Sequence, residues 1–196
     1  MPDRRLCVAP MMERTDRHFR FFMRLLAPHV WLYTEMVPVG AVLRGDADRH
    51  LRFDRAEHPV ALQLGGSEPD WMAQATAKAA GYGYDEININ VGCPSDRVQS
   101  GQFGACLMAK PELVAECFRA MQRETDIPIT VKSRIGIDDE DSPAFLRAFV
   151  APLVDAGCRK FVVHARIAIL QGLSPKENRS VPPLDYARVY DLKRTY

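Results

Sequence analysis

Short runs of aliphatic and β-branched residues alternate along the chain with longer stretches of helical periodicity. The short runs predict strands at residues 6–9, 31–35, 60–64, 86–90, 129–134 and 160–164. The longer stretches predict helices at residues 17–26, 70–80, 111–124, 143–156 and 184–195. A strand followed by a helix, repeated, is typical of βα units, so the pattern predicts an α/β protein with a parallel sheet.

Two architectures fit such a pattern, an open doubly wound sheet and a closed (β/α)8 TIM barrel. The first βα turn, at residues 9–12, lacks the glycine-rich fingerprint of a dinucleotide-binding doubly wound fold. We therefore expect the barrel. Only about six βα units are present, so we expect residues 1–196 to be the N-terminal part of one barrel domain, without its last strands.

Composition and charge exclude few classes of function. Lys and Arg number 26 and Asp and Glu 25, a net charge of +1 that neither demands nor excludes a nucleic-acid partner. No apolar stretch reaches membrane-spanning length, and residues 1–10 lack the apolar core of a secretory signal, so we expect a cytoplasmic protein. The five cysteines are scattered and form no C-x-x-C pair, which predicts neither a disulfide framework nor a metal site.

Several predicted strands carry polar residues where a buried parallel strand should be apolar. These residues lie toward the carboxyl ends of the strands: Gln63, Asn88, Asn90, Thr130, Lys132, Arg134, His164 and Arg166. Each one alone could make a structural hydrogen bond. Because barrels keep their active sites at the carboxyl ends of the strands, polar residues on several strands together favour a functional site there.

Residues 90–106 form a loop after the fourth strand that presents Cys93 between Gly92 and Pro94. A thiol with a pKa near its ordinary value of roughly 8.5 is protonated at neutral pH yet can give up its proton, which suits a general acid. Two other interpretations stay open. Cys93 could be a nucleophile with His164 as its base, or a small buried residue beside a proline turn.

At this point the motifs resemble those of the tRNA-dihydrouridine synthases. The matching segments are residues 9–11 with Thr15 and Asp16, and residues 63–66, 88–95, 131–136 and 164–166. Residues 172–179 and 182–184 resemble the A-type subfamily, which acts on D-loop uridines at tRNA positions 20 and 20a. The resemblance covers the chain from residue 6 to residue 196, in the family's order.

The resemblance implies an FMN-binding barrel that takes hydride from NADPH and reduces tRNA uridine to 5,6-dihydrouridine. It implies that Cys93 is the catalytic proton donor. The residues that would contact the flavin are Pro10, Met11, Met12, Gln63, Lys132 and His164. The residues expected to contact the target uridine or the tRNA are Asn90, Arg134, Arg166, Lys176 and Arg179.

The chain departs from the family pattern in two respects. Ile167 stands where the family usually has a lysine after His-Ala-Arg, so one contact to substrate or RNA is missing. The resemblance also leads us to expect three further parts after Tyr196, namely the last two barrel strands, the flavin phosphate site and a helical tRNA-binding domain.

Three functions stay open at the level of sequence. The first is the tRNA-modifying enzyme, and the second is a flavin barrel that reduces a free pyrimidine. The third is an inactive fragment of such an enzyme, which would bind FMN poorly because an unclosed barrel leaves strand edges unpaired. The subfamily motif at residues 172–183 favours the first over the second, since a free pyrimidine gives it no evident use.

Overall fold

The computed structural model describes residues 4–196, apart from the side chain of residue 97. Six strands lie side by side in chain order. They are β1 (Cys7–Val8), β2 (Trp31–Pro38), β3 (Val60–Gly65), β4 (Glu86–Val91), β5 (Ile129–Ser133) and β6 (Phe161–Val163). The helices are α1 (Arg17–Leu26), α2 (Val39–Arg44), α3 (Ala47–Leu51), α4 (Pro69–Ala80), α5 (Asp96–Ser100), α6 (Pro111–Gln122), α7 (Pro143–Asp155) and α8 (Tyr186–Thr195).

This alternation confirms the predicted fold class, an α/β protein built as part of a (β/α)8 barrel. The pairings of β1 with β2, β2 with β3, β3 with β4, and β5 with β6 are all parallel. Each predicted strand and each predicted helix is present, with ends that differ by a few residues. Within residues 4–196, no helix is long and apolar enough to cross a membrane.

The prediction missed the short helices α2, α3 and α5, each of five or six residues. Helices of that length show little more than one turn of periodicity, so the pattern cannot separate them from loops. One of them carries a local start signal. Asp46 accepts a hydrogen bond from the Arg49 amide at 3.2 Å, as an N-cap should.

Two compact units make up the chain. The first unit contains Met1–Ile89 and Ala120–Ile129, and residues 1–3 of it lie outside the described residues. The apolar side chains of β2, β3 and β4 form its interior, with Leu32, Leu62 and Ile87 fully buried. Removing such side chains from water is what stabilises the sheet against its helices.

Helix α1, in the first unit, buries its arginines and exposes its apolar residues. Arg20 Nε donates to the Glu57 carboxylate at 2.5 Å, and Arg20 Nη1 donates to the Thr15 carbonyl at 2.7 Å. Arg24 donates to the Glu57 carbonyl at 2.9 Å and to three further carbonyls. The opposite face leaves four large side chains exposed, Phe21, Phe22, Leu25 and Leu26. Polar contacts rather than apolar burial therefore fix this helix.

The second unit contains Asn90–Arg119 and Thr130–Tyr196. Helix α7 begins at a proline after Ser142, whose hydroxyl accepts from the Phe145 amide at 3.1 Å, and it buries Leu146, Phe149, Val150 and Leu153. Strands β5 and β6 pair with Lys132 opposite Val162 and Ser133 opposite Val163. The pairing continues past both strand ends, since the Ala168 amide donates to the Gly136 carbonyl at 2.9 Å.

Candidate active site

In the first unit, the predicted flavin contact Gln63 is buried in a network of neutral polar groups. Its backbone amide donates to the Thr34 hydroxyl at 3.0 Å, and its side-chain amide donates to Asn88 Oδ1 at 2.8 Å. Asn88 stands opposite Gln63 in the parallel register of β3 and β4. These two amides explain one another's burial, because each supplies a hydrogen-bond partner that water would otherwise provide.

The segment with Pro10, Met11 and Met12 follows β1 in the same unit. Thr15 closes it into a turn, because its amide and its hydroxyl both donate to the Met11 carbonyl, at 3.0 and 3.2 Å. The Met11 amide donates back to the Thr15 hydroxyl at 3.0 Å. Met11 and Met12 expose much of their side chains at this turn. Flexible, apolar methionines that are held out toward solvent are available to pack against a planar ligand.

In the second unit, Asn90 shapes the turn that carries the cysteine. Its side-chain oxygen accepts hydrogen bonds from the Gly92 amide at 3.2 Å and from the Cys93 amide at 3.1 Å. Such a local side-chain bond to the backbone two and three residues ahead is an Asx-type turn. Asn90, predicted to face the uridine, therefore also fixes the backbone of Cys93.

The position of Cys93 is set from the far end of its loop as well. The Ala105 amide donates to the Cys93 carbonyl at 2.9 Å. Gly104 makes this approach with φ of +81°, and a Cβ at this position would lie 2.5 Å from the Cys93 carbonyl oxygen. The glycine whose conformational freedom the loop requires is thus Gly104 rather than Gly92. The Cys93 thiol is half-buried and lies 3.5 Å from the Ser95 hydroxyl.

Lys132, Arg134 and His164 lie on one face of neighbouring strands of the second unit. Lys132 and Arg134 are two residues apart on and just after β5, so their side chains share a face. Val162 in β6 stands opposite Lys132 in β5. His164 follows Val162 by two residues, so its side chain lies on the same face as those of Lys132 and Arg134. The strand pattern thus brings these predicted site residues together, as expected.

Burial and mutual repulsion lower the pKa values of this group. Burial lowers the pKa of Lys132 to about 8, the Arg134 charge adds to the lowering, and the Cys93 thiol opposes it. Burial lowers the pKa of His164 to about 4, helped by the charges of Arg134, Lys132, Arg166 and Arg179. At neutral pH the imidazole is therefore neutral, and most of the lysine carries its charge.

Arg134 is 3% exposed and donates to three backbone carbonyls. Its Nε donates to Gly92 at 3.2 Å, and its Nη1 donates to Ile167 at 3.0 Å and to Asn178 at 2.8 Å. Burial lowers its pKa to about 10, so it stays charged at neutral pH. We predicted a contact between Arg134 and the substrate. The contacts present here are all with the backbone of the second unit.

The segment after β6 carries Lys176 and Arg179, both exposed. Between them, Asn178 is fully buried; its Oδ1 accepts from the Ile169 amide at 2.8 Å, and its Nδ2 donates to the Ile169 carbonyl at 2.9 Å. Glu177 accepts from both the amide and the hydroxyl of Ser174, at 2.8 and 2.6 Å. These bonds order the segment, and Arg166 adds to them by donating to the Pro182 carbonyl.

No carboxylate among the described residues forms an ion pair with Lys132 or Arg134, and the Lys132 ammonium has no hydrogen-bond partner among those residues. Buried cations are ordinarily paired, because leaving them unpaired costs several kcal/mol. A buried arginine and a partly buried lysine, next to a half-buried thiol and without an acid, are suited to hold an electron-rich group and to stabilise negative charge that forms there.

Sequence reasoning missed two residues that hold this region together. One is Asn178, which lies in a hydrophilic run where nothing indicates burial. The other is Gln99, whose side-chain amide donates to the Pro94 carbonyl at 2.8 Å and to the Leu170 carbonyl at 2.6 Å. An asparagine or glutamine in a polar loop gives no signal of such a role, because its partners are backbone atoms far away in sequence.

Fold and site together define a class of protein: an α/β chain of the (β/α)8 type whose polar, cationic residues follow the carboxyl ends of its strands. A family model described as "Dihydrouridine synthase (Dus)" matches residues 7–196. The chain therefore belongs to the dihydrouridine synthase family, as its motifs predicted.

Curated relatives agree with this assignment. A protein of Shewanella oneidensis is 60% identical over 194 residues, which cover 99% of this chain and 58% of the relative. Relatives from Synechocystis sp. and Pseudomonas putida are each 60% identical, with 97% and 100% of this chain covered and 57% and 58% of the relatives. All three are named tRNA-dihydrouridine(20/20a) synthase. The chain thus spans somewhat over half the length of these relatives.

Proposed function

We propose that the protein reduces uridines at positions 20 and 20a of the tRNA D loop to 5,6-dihydrouridine, with FMN as cofactor and NADPH as reductant. Membership of the family and the names of the relatives support the reaction and the substrate. The observation that carries the proposal to this chain is the half-buried Cys93 thiol in electrostatic contact with the partly buried Lys132 and the buried Arg134.

The residues present fit an FMN cofactor. A reduced flavin carries negative charge on its polar ring edge, and the partly buried Lys132 ammonium has no carboxylate partner among the described residues. We propose that Lys132 and His164 hold that edge. Pro10, Met11, Met12 and Gln63 would complete the contacts with the ring, as the family resemblance implies. When bound, FMN would supply the hydride that goes to C6 of the uracil.

Cys93 would supply the proton that completes the reduction. Once C6 has gained a hydride, the uracil carries negative charge over C5, C4 and O4, and the thiol proton is transferred to C5. The S–H bond breaks, the new C–H bond forms, and the thiolate is reprotonated from water. Cys93 is in electrostatic contact with both cations, since its charge raises the pKa of Lys132 and that of Arg134 against the lowering by burial.

The remaining predicted residues would bind the nucleic acid. Lys176 and Arg179 are exposed cations on an ordered segment, which suits contacts with backbone phosphates. Asn90 and Arg166 would lie nearer to the target base, which must leave its stack for the reaction to reach C5 and C6. A tRNA substrate also favours a cytoplasmic location.

The proposal is tested in a strain that lacks the gene. We expect its tRNA to lack dihydrouridine at positions 20 and 20a, as measured by mass spectrometry of nuclease fragments. The protein at its natural length should restore the modification, whereas Cys93→Ala should not. Cys7→Ala serves as the matched control because Cys7 is an exposed cysteine. Unmodified tRNA after complementation, with reduction of free uracil by the purified protein, would favour a pyrimidine reductase instead.

A further inference from the structure

Arg134 joins two segments of the second unit that carry different parts of the proposed site. Its guanidinium reaches the Gly92 carbonyl, one residue before Cys93, and it also reaches the Asn178 carbonyl, one residue before Arg179. A third bond goes to the Ile167 carbonyl, so three stretches of backbone meet at one side chain. We name residues 90–95 the cysteine segment and residues 167–180 the cationic segment.

Asn178 connects Arg134 to the rest of the cationic segment through its own hydrogen bonds. Its side chain bonds to both backbone groups of Ile169 and also donates to the Leu173 carbonyl at 3.2 Å, while its amide donates to the Ser174 carbonyl at 2.9 Å. The segment is therefore folded around one buried asparagine, and Arg134 holds the carbonyl of that same residue. A displacement of Lys176 and Arg179 would reach Arg134 through Asn178.

The two segments are braced at a second point by Gln99, which bonds to the Pro94 and Leu170 carbonyls. Two side chains thus hold the same two segments. Arg134 differs from Gln99 in donating from a planar, charged fork to carbonyls in three directions. A lysine cannot reproduce that geometry, because its ammonium is a single point on a flexible stem.

We propose that Arg134 is a positioning residue: it couples the cysteine segment to the cationic segment, so that RNA binding at Lys176 and Arg179 and the placement of the Cys93 thiol depend on each other. This role replaces the direct contact with tRNA that the sequence predicts for Arg134. That the ligand of the cationic segment is tRNA rests on the proposed function. The coupling between the two segments rests on the hydrogen bonds of Arg134 and Asn178.

The coupling can be measured without cofactor or RNA, by the rate at which iodoacetamide alkylates Cys93. The rate is followed by mass spectrometry of the Cys93 peptide in the wild type, Arg134→Met, Asn178→Ala and the double variant. We expect each single substitution to change the rate by about threefold to tenfold, and the double variant to match a single one, since coupled residues are not additive. Arg147→Met, which removes a half-exposed arginine paired with Asp191, is the control and should leave the rate unchanged.

Two results would overturn the coupling. One is a Cys93 alkylation rate that Asn178→Ala leaves unchanged. The other is a double variant whose rate change is the product of the two single changes. Should Arg134→Met fail to fold, Arg134→Lys takes its place and is expected to behave in the same way, because it keeps the charge but not the fork. These outcomes do not depend on the complementation result, so the two proposals fail separately.

A second measurement separates positioning from direct contact with RNA. With saturating tRNA, Arg134→Lys should lower the maximal rate of uridine reduction by about tenfold or more, while it weakens the Kd for tRNA less than Lys176→Ala does. Lys176→Ala should instead weaken tRNA binding and reduce the salt dependence of the Kd. A Kd weakened in Arg134→Lys as much as in Lys176→Ala, with the maximal rate intact, would identify Arg134 as an RNA contact and contradict the proposal.

Discussion

Arg20 in the first unit and Arg134 in the second are both nearly fully buried, at 4% and 3% exposure, yet their surroundings differ. Arg20 is paired with the Glu57 carboxylate at 2.5 Å, so its charge is compensated on the spot. Among the described residues, Arg134 donates to neutral carbonyls alone, and Lys132 and Cys93 are its electrostatic neighbours. The first arrangement stabilises a helix, whereas the second leaves positive charge that no carboxylate of the described residues compensates.

The same contrast runs through the other buried polar groups of the two units. In the first unit, Arg4 pairs with Glu86 at 2.6 Å, and Gln63 bonds to Asn88. In the second unit, burial and the neighbouring cations lower the pKa of His164, and burial and the Arg134 charge lower that of Lys132. Polar burial alone therefore does not identify a site. Polar burial without charge compensation does, because such an arrangement is costly unless a ligand makes use of it.

The largest effect expected from this contrast concerns stability. Arg20→Met should lower the free energy of unfolding by about 3–5 kcal/mol, because it leaves the Glu57 carboxylate buried and unpaired. Arg134→Met should cost about 1–3 kcal/mol, since it leaves neutral carbonyls without a donor and relieves the repulsion with Lys132. Urea unfolding of both variants measures the difference.

The variant Arg20→Met with Glu57→Gln is the matched control for that experiment. Removing the unpaired charge should recover part of the loss. An Arg134→Met variant that is destabilised as much as Arg20→Met would contradict the contrast between the two arginines.

The next effect concerns the titration of Lys132. Its pKa should lie near 8 in the free protein, against an ordinary value of 10.5. The unfolded chain then binds more protons than the folded one between pH 8 and 10.5, so stability should rise with pH across this window. Lys132→Met should abolish that rise, and Arg134→Met should move the lysine pKa upward. NMR of carbon-labelled lysine measures the pKa directly, and a value near 10.5 would show that no desolvated cation is present.

A third effect concerns His164 and acts on stability only below physiological pH. Its pKa is lowered from 6.5 to about 4, so the unfolded chain binds an extra proton as the pH falls through this range. Stability should therefore decrease between pH 6.5 and 4, less so in His164→Gln. An imidazole NMR signal that titrates near pH 6.5 would mean that neither burial nor the neighbouring cations lower the pKa of His164.

Much of the fold could be predicted from the sequence, because strand–helix alternation is a local pattern. Helix α1 shows what a local pattern cannot predict. Its range was predicted residue for residue, but the pattern of polar and apolar residues suggests the wrong buried face. The arginine face is buried because Arg20 pairs with Glu57. Glu57 lies 37 residues from Arg20 in the sequence, and no local signal links the two.

The candidate site likewise contains features that the sequence could predict and features that it could not. Residues Lys132, Arg134 and His164 could be placed on one face because strand periodicity and register determine it. The backbone partners of Arg134, and the burial of Asn178, could not be predicted. They depend on where loops meet in three dimensions. Every residue has a backbone carbonyl, so the sequence does not indicate which carbonyls Arg134 will bind.

The most direct test of the proposed chemistry separates the two halves of the reaction by rapid mixing. In Cys93→Ala, NADPH should reduce the bound flavin at the wild-type rate, because the thiol takes no part in that step. Oxidation of the reduced flavin by tRNA should slow by about 10²–10⁴-fold, the usual contribution of a general acid. Cys7→Ala should match the wild type in both steps. A Cys93→Ala variant whose reduced flavin is oxidised by tRNA at the wild-type rate would contradict the assignment of Cys93 as the proton donor.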